Sequence, residues 1–149
     1  KTYARMIEEH ANFELITRPE LNILTYRYRP PYAAEALKIA CGEQRKKINI
    51  MLGRITKYIQ KSQRERGKAF VSRTRLNPQQ YQGDPCVVFR VVLANPLTTE
   101  KILTSILDEQ VEIAAEAGIA EELLALKRAC KRVCSESDTD EKKMAASGN

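Results

Sequence analysis

The sequence predicts an α+β fold in which a small, mostly antiparallel four-stranded sheet has its helices packed on one face. Short alternating or apolar segments, which are typical of strands, occur at residues 13–17, 23–29, 69–76 and 86–94. Long amphipathic segments at residues 43–66 and 99–118 are predicted helices. Because the strands are short and joined by tight turns, this order of elements favours a single sheet covered by helices.

The beginning of the chain is predicted to form a helix and a β-hairpin. Apolar residues at helical spacing indicate a helix over residues 1–11, and a turn signal at 18–22 separates strands 13–17 and 23–29. Alternation in the second strand separates two faces, Leu24, Tyr26 and Tyr28 against Ile23, Thr25, Arg27 and Arg29. This pattern fits a strand with one core face and one surface face. It fits equally well the interleaved aromatic and arginine residues of single-strand nucleic-acid binders.

The middle of the chain is organised around one long predicted helix. Residues 32–42 are ambiguous and are interpreted as a loop with a short helical turn. Residues 43–66 carry one apolar stripe with basic residues on the other faces, and Gly67 is a suitable C-cap. The third strand, 69–76, and a loop at 77–84 that contains Pro, Gln and Gly follow.

The fourth predicted strand, 86–94, contains eight apolar residues interrupted once, by Arg90. Such a run is typical of a strand that is buried on both faces. A buried arginine is costly unless an anion meets it, so two interpretations of Arg90 are open. Either a structural carboxylate pairs with it, or the strand presents it to an acidic ligand. The spacing alone favours the structural carboxylate.

The end of the chain is predicted to be helical and then disordered. Thr98 is the expected N-cap of the helix over 99–118, with Glu100 in its first turn. A shorter helix is expected at 120–133, and the polar segment 135–149 is interpreted as a disordered tail. The chain also starts without Met and inside a helical pattern, so we expect a fragment or the C-terminal part of a longer protein.

Composition is that of a globular protein, and the 149 residues suffice for one domain with a core. No apolar run approaches the roughly 20 residues that span a membrane. Residues 43–75 contain eleven Lys or Arg against two Glu, whereas residues 98–126 contain seven acidic residues against one Lys. These blocks suit binding of nucleic acid or of a partner domain, or, the preferred interpretation, two solvated helix faces.

The chain shows few candidates for catalysis. Its cysteines, Cys41, Cys86, Cys130 and Cys134, lack C-x-x-C spacing, and His10 is the only histidine, so a zinc site is not expected. Scattered cysteines without a secretory signal fit reduced thiols in a cytoplasmic protein. His10 has no Ser or Cys partner nearby in the sequence, which makes a catalytic role improbable. Arg90 therefore remains the main candidate for a binding residue.

Two segments together resemble a known family. Residues 13–30 and the run Val88-Phe89-Arg90-Val91-Val92-Leu93-Ala94-Asn95-Pro96-Leu97-Thr98-Thr99 resemble the C-terminal small domain of the group II pyridoxal-phosphate-dependent amino-acid decarboxylases. These include glutamate, cysteine-sulfinate, diaminobutyrate and aromatic amino-acid decarboxylases. The helix 43–67 followed by Lys68-Ala69-Phe70-Val71-Ser72 fits the same order. The resemblance covers residues 1–118, and nothing after them resembles the family.

The resemblance implies a fold-type-I carboxy-lyase of the cytoplasm that works as a homodimer. In that family, pyridoxal phosphate is bound by a large domain that this chain lacks, so no catalytic, cofactor-binding or metal residue is assigned here. The small domain closes over the amino-acid substrate. Arg90 matches the arginine that meets a substrate carboxylate in glutamate-type members, which implies an acidic substrate such as glutamate or aspartate. The isolated chain is expected to be inactive.

These implications divide the chain into the small domain at 1–118, an additional helix at 119–134 and the tail at 135–149. Two other functions stay open at this point. One is a basic nucleic-acid-binding module, and the other is a regulatory domain with Arg90 as an effector site. Against both, the matching segments keep the decarboxylase order over about 118 residues, so neither nucleic acid nor a membrane is expected as a partner.

Overall fold

The computed structural model describes residues 2–20, 23–68, 71–92 and 100–147. In these ranges the strands are β1 (Phe13–Glu20), β2 (Ile23–Tyr28), β3 (Ser72–Leu76) and β4 (Cys86–Val92). The helices are α1 (Thr2–Glu9), α2 (Pro31–Ile39), α3 (Gly42–Arg66), α4 (Glu100–Ala114) and α5 (Ala120–Ser147). The order of strands and long helices agrees with the prediction.

All four strands belong to one sheet with the order β1-β2-β4-β3, and every described pair is antiparallel. The hairpin pairs Glu14 with Arg27 and Leu15 with Tyr26, and its register then shifts by one residue before Thr17 meets Thr25. The predicted α+β class and the single four-stranded sheet are confirmed. Strand β4 lies inside the sheet, between β2 and β3, and so presents side chains to both faces.

The main core lies between one face of the sheet and the helices. Helix α3 packs on β4, and α4 and α5 pack on α3 in turn. The predicted stripes are confirmed by the buried residues Ile48, Leu52, Ile55 and Ile59 of α3 and Leu103, Ile106 and Leu107 of α4. The helical spacing also assigned Ile102 to the buried stripe of α4, and this was wrong, since Ile102 is 46% exposed at the start of the helix.

The described residues cover the opposite face of the sheet only at one end. There Ile16, Cys86 and Val88 pack with Tyr81, which the loop between β3 and β4 brings over the sheet. Further along β4, Arg90 and Val92 are exposed. The predicted burial of this strand on both faces is therefore correct for its first half and wrong for its second. Because side chains alternate along a strand, the helix-facing residues of the second half, Phe89 and Val91, stay buried while Arg90 and Val92 face outwards.

Two segments are more helical than the sequence pattern indicates. The stretch interpreted as a loop forms α2, which begins at Pro31, because proline lacks the N–H that a first helical residue leaves unpaired anyway. The predicted tail at 135–149 continues α5 as far as Ser147. Its side chains are exposed, so good helix formers such as Glu141, Lys142 and Met144 sustain it rather than core contacts. None of the described helices is both long and apolar enough to cross a membrane.

Candidate functional site

Arg90 lies on the open face of the sheet, where it is paired with Thr25 of β2 on one side and with Ser72 of β3 on the other. Its side chain is exposed. Within the part of the chain that the structure describes, no side chain forms a hydrogen bond or an ion pair with its guanidinium group. The Ser72 hydroxyl donates a hydrogen bond to the Arg90 carbonyl at 3.2 Å. The structural carboxylate that the spacing favoured is thus not among the described residues.

A row of polar side chains crosses the whole sheet at this level. Thr17, Thr25, Arg90 and Ser72 are consecutive register partners on β1, β2, β4 and β3, and we call them the Arg90 row. The hydroxyls of Thr17 and Thr25 lie 2.5 Å apart. A guanidinium donates two parallel N–H bonds to a carboxylate, and that of Arg90 is exposed, whereas the single proton of the Ser72 hydroxyl is already donated to the Arg90 carbonyl. The Arg90 row is therefore suited to receive an anion from outside the fold.

Apolar surface adjoins the Arg90 row. Val92 is 53% exposed beside Arg90, and its register partner Ile23 is half-buried. The predicted helix entry, Asn95-Pro96 with Thr98 as N-cap, lies outside the described residues. An exposed valine beside an unpaired guanidinium gives this face the mixed character of a surface on which an amphipathic ligand or another part of a protein rests.

The buried arginine of the sheet is Arg27, which the sequence placed on the surface face of β2. It is 0% exposed. Its Nε and Nη2 atoms donate to Glu14 Oε2 at 3.3 and 3.2 Å, and its Nη1 donates to Asn49 Oδ1 at 2.9 Å. Arg29 Nη1 lies 3.1 Å from the same Glu14 oxygen, which the Tyr81 hydroxyl also contacts as a donor at 2.8 Å. The requirement that an anion meets a buried arginine is satisfied here, at a different residue from the expected one.

The cause of this burial is the loop between β3 and β4. It places the Tyr81 ring over the guanidinium of Arg27, whose Cζ atom lies 4.8 Å from the ring centroid. Burial raises the pKa of the Tyr81 hydroxyl to about 12, so it stays protonated and serves as the donor to Glu14. A sequence signal did exist, because Glu14 is the only acid in the first predicted strand and the hairpin register sets it opposite Arg27.

A second ion pair extends the network towards the surface. Asn49 Nδ2 donates to Asp84 Oδ2 at 3.3 Å, and Arg45 Nε donates to the same oxygen at 2.8 Å. The hydrogen bond from Arg45 holds the pKa of the Asp84 carboxyl below its usual value. Helix α3 supplies Arg45 and Asn49, and the loop before β4 supplies Asp84. This network fastens the loop to the helix, so its role is structural.

A series of hydrogen bonds between buried side chains crosses the main core. The Tyr26 hydroxyl donates to Gln110 Oε1 at 2.9 Å, and Gln110 Nε2 donates to Gln63 Oε1 at 3.0 Å. Burial raises the pKa of Tyr26 far above its usual value. Tyr26 and Tyr28 are both buried against the helices. They therefore form no surface on which bases stack, and the pattern of this strand is explained by packing.

His10, Cys86 and Cys130 are placed as packing residues, whereas Cys41 is exposed and Cys134 is half-buried. His10 Nδ1 accepts a hydrogen bond from the Asn12 amide at 3.1 Å, and its ring meets Phe13 edge-on. Cys86 and Cys130 are buried thiols, and burial raises the pKa of Cys130 to about 11, which makes it a poor nucleophile. Over the described ranges, no three His, Cys, Asp or Glu side chains are grouped to hold a metal ion.

Comparison with known proteins points to decarboxylases. No protein-family model matches the chain. It is 57% identical over 122 residues to an aspartate 1-decarboxylase of Aliivibrio fischeri, a match that covers 82% of this chain and 22% of that relative. The sequence relative is therefore a decarboxylase by name, and the chain spans about a fifth of its length.

Solved structures share the fold. The glutamate decarboxylase domain of the diaminobutyrate-pyruvate transaminase and L-2,4-diaminobutyrate decarboxylase from Vibrio parahaemolyticus matches with a TM-score of 0.54 and 19% identity, over 76% of this chain and 19% of that one. Mouse CSAD matches with TM-scores of 0.54 and, in its apo form, 0.55, at 17% identity over 75% of this chain and 21% of CSAD. The expected likeness to decarboxylases is thus confirmed by sequence for one relative and by fold for the structures.

Proposed function

We propose that this chain is the C-terminal small domain of a pyridoxal-phosphate-dependent amino-acid decarboxylase that acts on an acidic substrate, with L-aspartate as the first candidate. The observation that carries the proposal is the 57% identity to an aspartate 1-decarboxylase over 82% of the chain. The shares agree as well, because the chain matches 22% of that relative and 19% of the Vibrio parahaemolyticus decarboxylase structure. A domain of the same relative size recurs in both.

Arg90 is the residue that we assign to substrate binding. Removal of the α-carboxyl group as carbon dioxide leaves the side-chain carboxylate of aspartate or glutamate in the product. A guanidinium that holds the substrate throughout the reaction must therefore pair with the side-chain carboxylate, because the α-carboxyl group leaves. Arg90 suits this task because it is exposed and has no described side-chain partner, so its guanidinium can donate two parallel N–H bonds to a carboxylate. It binds and orients the substrate and transfers no proton.

The described residues do not fit the cofactor itself. Pyridoxal phosphate needs a lysine amine in an enclosed site, and every lysine of the described ranges is exposed to solvent. The proposal therefore leaves the cofactor, which supplies the electron sink for decarboxylation, to a large domain elsewhere in a longer protein. The open sheet face with Val92 and the Arg90 row is the surface that this chain would turn towards that domain, in a cytoplasmic homodimer.

The first test is the activity of the full-length protein that contains this chain. Purified protein is incubated with L-aspartate, L-glutamate or L-2,4-diaminobutyrate, and the release of carbon dioxide and of the amine product is measured. We expect β-alanine from L-aspartate and bound pyridoxal phosphate that alkali releases. A protein-derived pyruvoyl group, revealed by self-cleavage into two chains, would refute the cofactor assignment. Absence of carbon dioxide with every amino acid would refute the decarboxylase itself.

The second test is Arg90→Lys in the same full-length protein. Lysine keeps the charge but lacks the two parallel N–H donors of the guanidinium group. The kcat/KM for the acidic substrate should therefore fall about tenfold to a hundredfold, equivalent to roughly 1.5–3 kcal/mol. Arg128→Lys is the matched control, since Arg128 is an exposed arginine on α5. Equal activity of both variants would remove Arg90 from the substrate site while leaving the decarboxylase assignment intact.

A further inference from the structure

A basic groove of about 380 Å³ lies between α3 and the edge strand β3, on the helix side of the sheet. Its cationic walls are Arg54 and Lys57 from α3 and Arg73 and Arg75 from β3. Residues three apart on a helix and two apart on a strand share a face, so each element directs both of its cations into the groove. Arg90 lies on the opposite face of the sheet, so the groove is a separate surface.

The four cations of the basic groove have no compensating charge in the fold. No Asp or Glu lines the groove. In the described ranges, none of the four side chains forms an ion pair or a hydrogen bond. The nearby Asp84 carboxylate is already held by Arg45 and Asn49. Four like charges around one concavity repel one another and produce a positive potential that concentrates anions.

The floor of the groove is apolar. Val87 and Pro85 form it together with Ile50, which is 44% exposed. Gly53 faces Val87 in the groove, and a Cβ atom at this position would lie in ordinary van der Waals contact, 3.4 Å from Val87 Cγ2. The groove therefore joins a flat apolar surface to a cluster of guanidinium groups. Its volume falls within the range of small-molecule sites, about 300–1,000 Å³.

We propose that the basic groove binds a small molecule with two or more linked phosphate groups on an apolar or ring-shaped body, of the nucleoside polyphosphate type. Three guanidinium groups and one ammonium group are able to donate hydrogen bonds to several phosphate oxygens, because pairs of guanidinium N–H groups bind phosphate in a bidentate manner. The apolar floor receives the body of the ligand. The proposal does not depend on the decarboxylase assignment, since it uses no residue of the Arg90 row.

The test is calorimetric titration of the full-length protein with ATP, ADP, AMP, pyrophosphate and phosphate at physiological ionic strength. We expect ATP and ADP to bind more tightly than pyrophosphate, and pyrophosphate more tightly than phosphate. The double variant Arg54→Gln/Arg75→Gln should weaken ATP binding at least tenfold. The matched control is Lys61→Gln/Arg64→Gln, which removes two exposed cations from the same helix outside the groove. Melting temperatures of both variants show whether they remain folded.

Several outcomes would overturn the proposal. Equal weakening by the control variant would show that diffuse positive charge, not the groove, attracts the anion. ATP binding that is insensitive to Arg54→Gln/Arg75→Gln would place the site elsewhere in the protein. Tight binding of an RNA oligonucleotide or of polyglutamate without binding of ATP would assign the groove to a macromolecular partner. No binding of any probe would mean that the groove holds no such ligand.

Discussion

Arg27 and Arg90 lie on neighbouring strands of the same sheet, yet their surroundings are opposite. Arg27 is completely buried, and Glu14 and Asn49 accept hydrogen bonds from its guanidinium inside the fold. Arg90 is exposed, and no described side chain accepts from its guanidinium. The two arginines differ because the loop that carries Tyr81 covers the end of the sheet face that contains Arg27 and leaves the Arg90 row open.

This comparison separates two uses of one residue type. An arginine that is removed from water must have its acceptors within the fold, since an unpaired buried charge costs several kcal/mol. An arginine that stays in water has no such requirement and keeps its N–H groups available to a ligand. We therefore expect substitution of Arg27 to lower the stability of the fold, and substitution of Arg90 to weaken ligand binding. The following substitutions test this separation.

The largest effect is expected for Arg27→Met. Methionine fills part of the space but leaves the Glu14 carboxylate buried with only Arg29 and Tyr81 as partners. The free energy of unfolding should fall by about 3–5 kcal/mol, the range for breaking a buried ion pair. Urea unfolding of the chain, followed by circular dichroism, measures it. A loss below about 1 kcal/mol would show that the Arg27 network contributes little.

A double-mutant cycle with Glu14→Gln sharpens this result. Adding Glu14→Gln to Arg27→Met removes the carboxylate that has lost its Arg27 partner, so the double variant should be less destabilised than the sum of the single variants. Strict additivity of the two losses would contradict direct coupling between Glu14 and Arg27.

A smaller effect is expected for Tyr81→Phe. The ring that covers Arg27 is kept, and only the hydroxyl that donates to Glu14 is removed. A hydrogen bond to a charged group contributes roughly 1.5–3 kcal/mol, so the free energy of unfolding should fall by that amount. Tyr58→Phe is the control, because its hydroxyl donates at 3.3 Å to the partly exposed Glu116 and should matter less. Equal losses for both variants would contradict the special position of Tyr81.

The ion pair of Asp84 with Arg45 predicts a pH dependence. Its hydrogen bond from Arg45 lowers the pKa of Asp84 in the folded state relative to the unfolded chain. A group of this kind stabilises the fold above its unfolded pKa of about 4, and the contribution is lost as the pH falls through the lower folded value. The free energy of unfolding of Asp84→Asn should therefore decline less between pH 5 and pH 3 than that of the unsubstituted chain. Asp108→Asn removes an exposed carboxylate of α4, and with it the same charge, and is the control.

The sequence predicted the architecture well because periodicity records which side chains face the core. The stripes of α3 and α4 and the four strands follow directly from it. It failed where periodicity carries no signal. Helix α2 is short, begins at a proline and fully buries only the small side chains of Ala33 and Ala36, and the outer half of α5 has no buried face, so both give a weak periodic signal.

The buried site was less predictable for a physical reason. Alternation assigns Arg27 to the surface face of its strand, and the apolar run around Arg90 predicts burial on both faces, but neither pattern reveals which arginine a distant loop will cover. The covering residue, Tyr81, is 54 positions after Arg27, and only the folded chain brings the two together. Glu14 was the available clue, because it lies opposite Arg27 in the hairpin. Arg90 was singled out because it interrupts an apolar strand, and its expected burial was wrong.

The smallest effect on stability is expected for Arg90→Met, the same substitution as in Arg27 but at the open position. Because Arg90 is exposed and leaves no described carboxylate without a partner, the free energy of unfolding should change by no more than about 0.5 kcal/mol. Urea unfolding of Arg90→Met and Arg27→Met under identical conditions compares the two positions directly. In the full-length protein, Arg90→Met should nevertheless weaken selection of acidic over neutral amino acids. A loss of several kcal/mol in the Arg90 variant would mean that its guanidinium has a partner within the fold, and the contrast with Arg27 would disappear.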